Sequence, residues 1–365
     1  MIRTFGWAVG FTIAVLAGAF WLGGAEVLTI VAILAVLEIS LSFDNAVVNA
    51  TVLQRMNEWW QRIFLTIGVI IAVFGMRLVF PLLIVAVTAG LNPIQILDLA
   101  INQPEVYAAE LSEAHPAIAA FGGLFLAMIF LDFMLQSREI TWLSVLEKPL
   151  SRLGGIESLS IVLALASLLA ASRWLAGDES ATVLMAGTLG VVVYLLVNGL
   201  AAFFEGTADE DDEKLSGIAG TAESAQGAKV MGKAAFFLFL YLEVLDASFS
   251  FDGVIGAFAI TTDIFVVAAG LGVGALYIRS MTIYLVRKGT LGQYVYLEHG
   301  AHYAIGALAL ILLVSISREV PEIVTGLIGV GFILIAFLTS VVRNRRGPVE
   351  PEEDHDVEDI RAAAA

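Results

Sequence analysis

Two short stretches of this sequence set acids, serines and an amide or glycine in the same order within otherwise apolar surroundings. Glu38-Ile39-Ser40-Leu41-Ser42-Phe43-Asp44-Asn45 and Asp246-Ala247-Ser248-Phe249-Ser250-Phe251-Asp252-Gly253 share acid-x-Ser-x-Ser-Phe-Asp, followed by Asn or Gly. Carboxylate, hydroxyl, amide and carbonyl oxygens form a hard ligand set. It suits Mn2+, Mg2+ or Ca2+ better than copper or zinc, which favour sulfur and imidazole. On a helix, Ser40 and Asp44 share a face, as do Glu38 and Ser42, Asp246 and Ser250, and Ser248 and Asp252. Glu243, three residues before Asp246, joins that face. Glu38 and Asp44 are six apart, so a regular helix turns them away from each other. A break near Ser42–Asn45 would free backbone carbonyls to join the carboxylates, and Asn45 and Gly253 tolerate such a break.

The candidate metal ligands are therefore Glu38, Ser40, Asp44, Asn45, Glu243, Asp246, Ser248, Asp252 and, from another apolar stretch, Asp132. An unpartnered charge at the centre of a bilayer costs roughly 2.5–3.5 kcal/mol. Arg77 and Arg279, also within apolar stretches, are the candidate counter-ions. Six carboxylates against two arginines leaves four negative charges for protons or bound cations to neutralise. Plainer roles compete at each position. The serines suit tight helix contacts, the arginines suit structural ion pairs, and Asp132 suits a membrane interface. His299 and His302 fall at a loop boundary, with proton transfer as the alternative.

These residues need elements that lipid can cover. The chain has 365 residues, 59% hydrophobic and 15% charged, whereas soluble domains are about 45–50% apolar and about 25% charged. Ten stretches are long and apolar enough to cross a bilayer: 5–23, 27–53, 63–89, 117–136, 157–175, 182–204, 234–260, 264–286, 302–317 and 321–342. With the N-terminus inside, 15 of the 19 Lys and Arg fall inside, two outside and two within spans, as the positive-inside rule expects. That places the chain in the inner (cytoplasmic) membrane with both termini cytoplasmic. The first span reads as retained, since no Ala-x-Ala cleavage site precedes Glu26. The outside loop 90–116 lacks Lys and Arg, and its Asn92-Pro93, Pro104 and Pro116 predict turns or irregular structure. Zero cysteines exclude disulfides, iron–sulfur clusters and thiolate zinc sites, and four histidines argue against an imidazole-rich one. Fourteen of the 35 acids lie in Glu205–Glu223 and Glu350–Asp359, which read as solvated, disordered segments. Nothing points to nucleic acid.

The fold class is thus an all-α polytopic bundle, and the motifs divide it. The Gly68-to-Arg77 spacing of nine recurs as Gly270 to Arg279, and Ser137-Arg138-Glu139 recurs as Ser317-Arg318-Glu319. Span two then corresponds to seven, three to eight and four to nine. An odd offset of five reverses direction, which is the inverted-topology repeat of many secondary transporters. The units are repeat one over 1–204, an acidic cytoplasmic loop over 205–233, repeat two over 234–342 and an acidic tail over 343–365.

At Glu38–Asn45, Asp246–Gly253 and the arginine-bearing span after each, the sequence resembles the TerC family of bacterial membrane proteins, over roughly residues 27–320. That family carries tellurium-resistance names and includes members linked to manganese efflux. The resemblance implies that Asp44, Asn45 and Asp252, with Glu38 and Asp246, bind metal. The chain departs from shorter members in its ten spans, its loop 90–116 and its acidic segment 205–230. The expected activity is export of a divalent cation, Mn2+ foremost, in exchange for protons, one repeat rocking against the other. No permanently bound cofactor and no enzymatic activity are expected. The partners are lipid, divalent cations and protons. Rival readings are a channel, a non-transporting factor for metal supply or for metal or tellurite stress, and an intramembrane aspartyl protease. The last would want a Gly-x-Gly-Asp sequence that the motifs lack.

Overall fold

The computed structural model describes residues 2–88, 90–138, 140–156, 158–216, 229–288, 293–318 and 320–346. Every regular element among the described residues is helical, as lipid requires of a chain that must satisfy its own backbone. The first, α1 (Ile2–Leu41), carries the first predicted span and the start of the second, and turns sharply at Gly24. There φ is +67° and ψ −155°, a conformation essentially reserved for glycine. Ser42 is non-helical, and the chain resumes as α2 (Phe43–Leu53). Asn57 caps α3 (Glu58–Ile70) by accepting the Trp60 N–H at 3.0 Å. That helix widens into a π-helical segment, Ile71–Val79, and continues as α4 (Phe80–Thr88).

The loop 90–116 departs from expectation. It forms α5 (Pro93–Asn102) and α6 (Pro104–Glu113) and leads into α7 (His115–Leu135). Each proline sits in a first helical turn, where its missing N–H has no partner to lose and its fixed φ suits the helix. A capping box of Asn92 and Gln95 starts α5. The remaining helices are α8 (Ser144–Leu153), α9 (Leu159–Trp174), α10 (Ser180–Ser216), α11 (Gly232–Ile260), α12 (Ile264–Lys288), α13 (Leu297–Ser315) and α14 (Glu322–Arg346). The first acidic tract therefore starts as a helical continuation of α10, and its remainder and the C-terminal tract lie outside the described residues.

Among the described residues, seven helices are long and apolar enough to cross a membrane: Phe5–Ser40, Glu58–Ala86, His115–Leu135, Gly177–Phe204, Ile264–Lys288, Leu297–Ser315 and Ile323–Arg345. Three of the ten predicted spans are not separate members of this set: the first two run together through Gly24, α9 has 16 residues, and α11, a helix of 29 residues, is not among the seven. Trp7, Trp21, Leu22, Met185 and Leu338 are exposed on the outside of the bundle, an apolar surface that calls for lipid.

Two cores hold the helices together. One joins α7, α10, α11 and α13 around Phe125, Met128, Leu242 and Ile305. The other lies beneath α5 and α6 and includes Leu34, Tyr107, Val254 and Leu271. Tyr107 stands against Phe258 with ring centroids 5.6 Å apart, and burial pushes its hydroxyl pKa upward. Along α11 the buried members of the first core end at Leu245 and those of the second begin at Val254, so the second motif falls between them. An isolated parallel bridge pairs Met56 with Val230, which fixes the entry to α11 beside the exit from α2.

Candidate cation site

The π-helical segment delivers Arg77 to the first motif. Its Nη1 donates to the Ala72 carbonyl at 2.6 Å, and its Nη2 donates to the Glu38 carboxylate and to Ser250 Oγ at 3.4 Å. A π-bulge adds a residue per turn and re-aims the side chains beyond it, and here the re-aimed group is a buried cation. Glycines let the neighbouring helices close on Glu38. A side chain at Gly274 of α12 would overlap its stem, and one at Gly253 would reach its Oε2 at 3.2 Å.

Arg279 of α12 organises the second motif. Nη1 and Nη2 donate to Glu243 Oε1 and Oε2 at 3.0 and 3.1 Å, and Nη2 also donates to Asp246 Oδ2 at 3.1 Å. The two-pronged pairing fixes geometry as well as charge. The guanidinium lies over the Phe64 ring, 3.9 Å from its centroid. Gly68 of α3 makes that approach possible, since a Cβ there would sit 2.6 Å from Arg279 Nη1. A hydrogen bond joins the two motifs: Asn45 Nδ2 donates to Asp246 Oδ1 at 2.6 Å.

Asp44 stands in the first turn of α2, where the helix dipole favours an anion. The Asn45 N–H donates to its Oδ1 at 3.0 Å. Gly329 of α14 packs so closely on Asp44 that a Cβ would overlap the carboxylate. Glu38, Ser42 and Asp44 line one cavity of about 60 Å³, together with Gly253 and Thr325. The break at Ser42 thus brings together two acids that a regular helix would hold apart. No matching break occurs in α11, which runs unbroken through Gly253.

Several expected ligands lie elsewhere. Ser40 is exposed and donates to the Val36 carbonyl at 2.7 Å, while Ser248 donates to the Val244 carbonyl at 3.0 Å and packs beside Gly122. Their places are taken by Ser42 and Ser250. Asp132 is outside the cluster, in a separate cavity, where it accepts from the Tyr194 hydroxyl at 2.5 Å. The backbone of Asp252 belongs to α11, but its side chain lies outside the described residues. His299 is buried, with Nε2 3.0 Å from the Ile140 carbonyl and 3.5 Å from Glu147, and His302 stacks on Phe133. Sequence reading missed Gly274, Gly329 and Thr325. The last two are four apart on α14, a small-residue spacing that marks close helix contact in membranes.

Glu38, Asp44, Glu243 and Asp246 are each at most 5% exposed, and Arg77 and Arg279 are 2% exposed. With all six ionised, four negative charges face two positive ones, a deficit of two that one divalent cation would cancel. Among the described residues no three carboxylates or imidazoles converge as a preformed metal cage. Three of the four acids are turned toward arginines or Asn45 instead. Binding a metal by several carboxylates therefore requires exchanging arginine contacts for metal contacts.

A family model described as "Protein of unknown function (DUF475)" matches residues 43–347. No curated protein and no solved structure matches the chain.

Proposed function

The chain belongs to the DUF475 family, and from that premise we propose that it is a membrane transporter that exports divalent metal cations, Mn2+ foremost. One observation carries the reading: two oxygen-rich motifs meet through Asn45 and Asp246, 201 residues apart, and the described buried carboxylates exceed the buried arginines by two charges. A buried carboxylate must be paired, protonated or bound to metal. The arginines pair some of the charge, and a divalent ion supplies the rest.

The ten-span topology and the inverted repeat belong to this proposal. They gain support from contacts that exchange when the motifs are exchanged. Gly270 packs on Val31 and Leu34 of α1, and Gly68 packs on Phe239 and Glu243 of α11. Arg77 pairs with Glu38, and Arg279 pairs with Asp246. The resemblance of the motifs to TerC proteins supports the metal over other cations. In the proposed cycle, protons compete with the metal for the same carboxylates, and the arginines hold them in place between turnovers.

Purified protein in liposomes tests this. Mn2+ flux is expected, faster with an opposing pH gradient, and Asp44→Asn should abolish it. Wild-type protein that moves no Mn2+, Mg2+, Ca2+ or Zn2+ would overturn the proposal.

A further inference from the structure

A second polar cavity, of about 600 Å³, opens at the other end of α2. Thr51 and Val52 of α2 and Arg55 just beyond its end line it, with Asp132, Tyr194 and Tyr241. It is ten times the volume of the space beside Glu38 and Asp44, roomy enough for an ion that keeps its water shell. Of its further charges, Arg138 lies over the Phe133 ring at 3.4 Å and 4.0 Å from Glu298. Asp132 is held by the Tyr194 hydroxyl, which in turn accepts from Asn198 at 3.5 Å.

Two buried amide oxygens lie between this cavity and the carboxylates. Asn45 and Asn49 are 2% and 1% exposed, and the Oδ1 atom of each has no hydrogen-bond partner among the described residues. They are four residues apart and share one face of α2. Asn45 gives its NH2 to Asp246, which turns its oxygen away from that acid. A buried acceptor left unpaired is costly, and two in succession on one helix face are rare. Both are hard oxygens, the ligand class that Mg2+, Mn2+ and Ca2+ take. Val52, three residues beyond Asn49, already lines the cavity. On α11, Asp246 and the cavity-lining Leu238 are eight residues apart, close to two turns.

We propose that the large cavity is the loading port of the cation site, where Asp132 captures a hydrated divalent cation and the oxygens of Asn49 and Asn45 relay it to the motif carboxylates. This deepens the transport reading and rests on it for the direction of travel. It adds a second, outlying cation site and names its anchor.

Equilibrium Mn2+ binding to the purified full chain, followed by electron paramagnetic resonance, is read beside flux in liposomes. Two ions per wild-type chain are expected. Asp132→Asn should remove one and Asp44→Asn the other, while Asn49→Leu should retain both and cut flux at least tenfold. Should Asp132→Asn fail to fold, Tyr194→Phe replaces it and should weaken one of the two ions roughly tenfold, as loss of a supporting hydrogen bond does at metal sites. Two ions still bound to Asp132→Asn, unchanged affinities in Tyr194→Phe, or wild-type flux in Asn49→Leu would overturn the port. Wild-type flux with a single bound ion would remove the port and leave the transporter. Two bound ions without flux would support the outer site and remove the transporter.

Discussion

Asn45 and Asp246, 201 residues apart in sequence, are hydrogen-bonded side chain to side chain at 2.6 Å in the interior of the bundle. The amide is the donor and the carboxylate the acceptor, so Asp246 is held by Asn45 on one oxygen and by Arg279 on the other. Asn45→Ala removes one of those supports. Hydrogen bonds to charged groups contribute about 1.5–3 kcal/mol. The variant is therefore expected to lose thermal stability in detergent and to lose most Mn2+ flux, whereas Ser40→Ala, which changes an exposed hydroxyl, should alter neither.

Arg279 faces two acids at once. Replacing it with Met strands Glu243 and Asp246 as buried charges, and breaking a buried ion pair in this way typically costs about 3–5 kcal/mol. Adding Glu243→Gln to Arg279→Met should recover part of that loss, because it removes one stranded charge. Thermal unfolding of the two single variants and the double variant measures the coupling, and strictly additive effects would contradict the pairing.

Gly329 and Gly331 offer a matched pair on one helix. A methyl group at Gly329 would overlap the Asp44 carboxylate, whereas one at Gly331 meets nothing within 4 Å. Overpacking costs about 1–3 kcal/mol. Gly329→Ala is expected to reduce Mn2+ affinity and flux by displacing Asp44, with the fold retained. Gly331→Ala should behave as wild type in both assays.

Gly24 tests the break within α1. Any other residue there adopts a conformation costing about 1–3 kcal/mol, since φ is +67°. Gly24→Ala should lower the unfolding temperature while leaving Mn2+ binding by the folded fraction unchanged, because Gly24 lies 14 residues from Glu38.

The broad helical fold was legible from residue types alone, and so was the pairing of buried acids with buried arginines. Apolar run lengths marked the helices, and acids within apolar runs marked the places needing partners. Arg77 and Arg279 were identifiable as those partners because each lies well inside the apolar stretch that follows a motif, nine residues after a glycine. Ser40 falls outside the cavity for a definite reason. Counting Ser40 to Asp44 as one helical turn assumes an unbroken helix, and the break at Ser42 resets the phase. Ser42 then meets Asp44 at the cavity, and Ser40 turns outward. Asp132 lies apart from the motif carboxylates, which spacing along α7 could not reveal, since it says nothing about which end of α11 a residue faces. The prolines of 90–116 were read as breakers, although in a first helical turn proline initiates.

The bridge between Met56 and Val230 gains meaning beside the Asn45–Asp246 bond. Eleven residues separate Asn45 from Met56, about 16 Å along a helix at 1.5 Å per residue. Tied by a side-chain hydrogen bond at one height and by a backbone bridge just beyond both helices at the other, α2 and α11 form a raft that joins one helix from each half of the sequence. The break at Ser42 is the edge of that raft: it leaves Asp44 on the raft and Glu38 on α1, against Gly274 of α12.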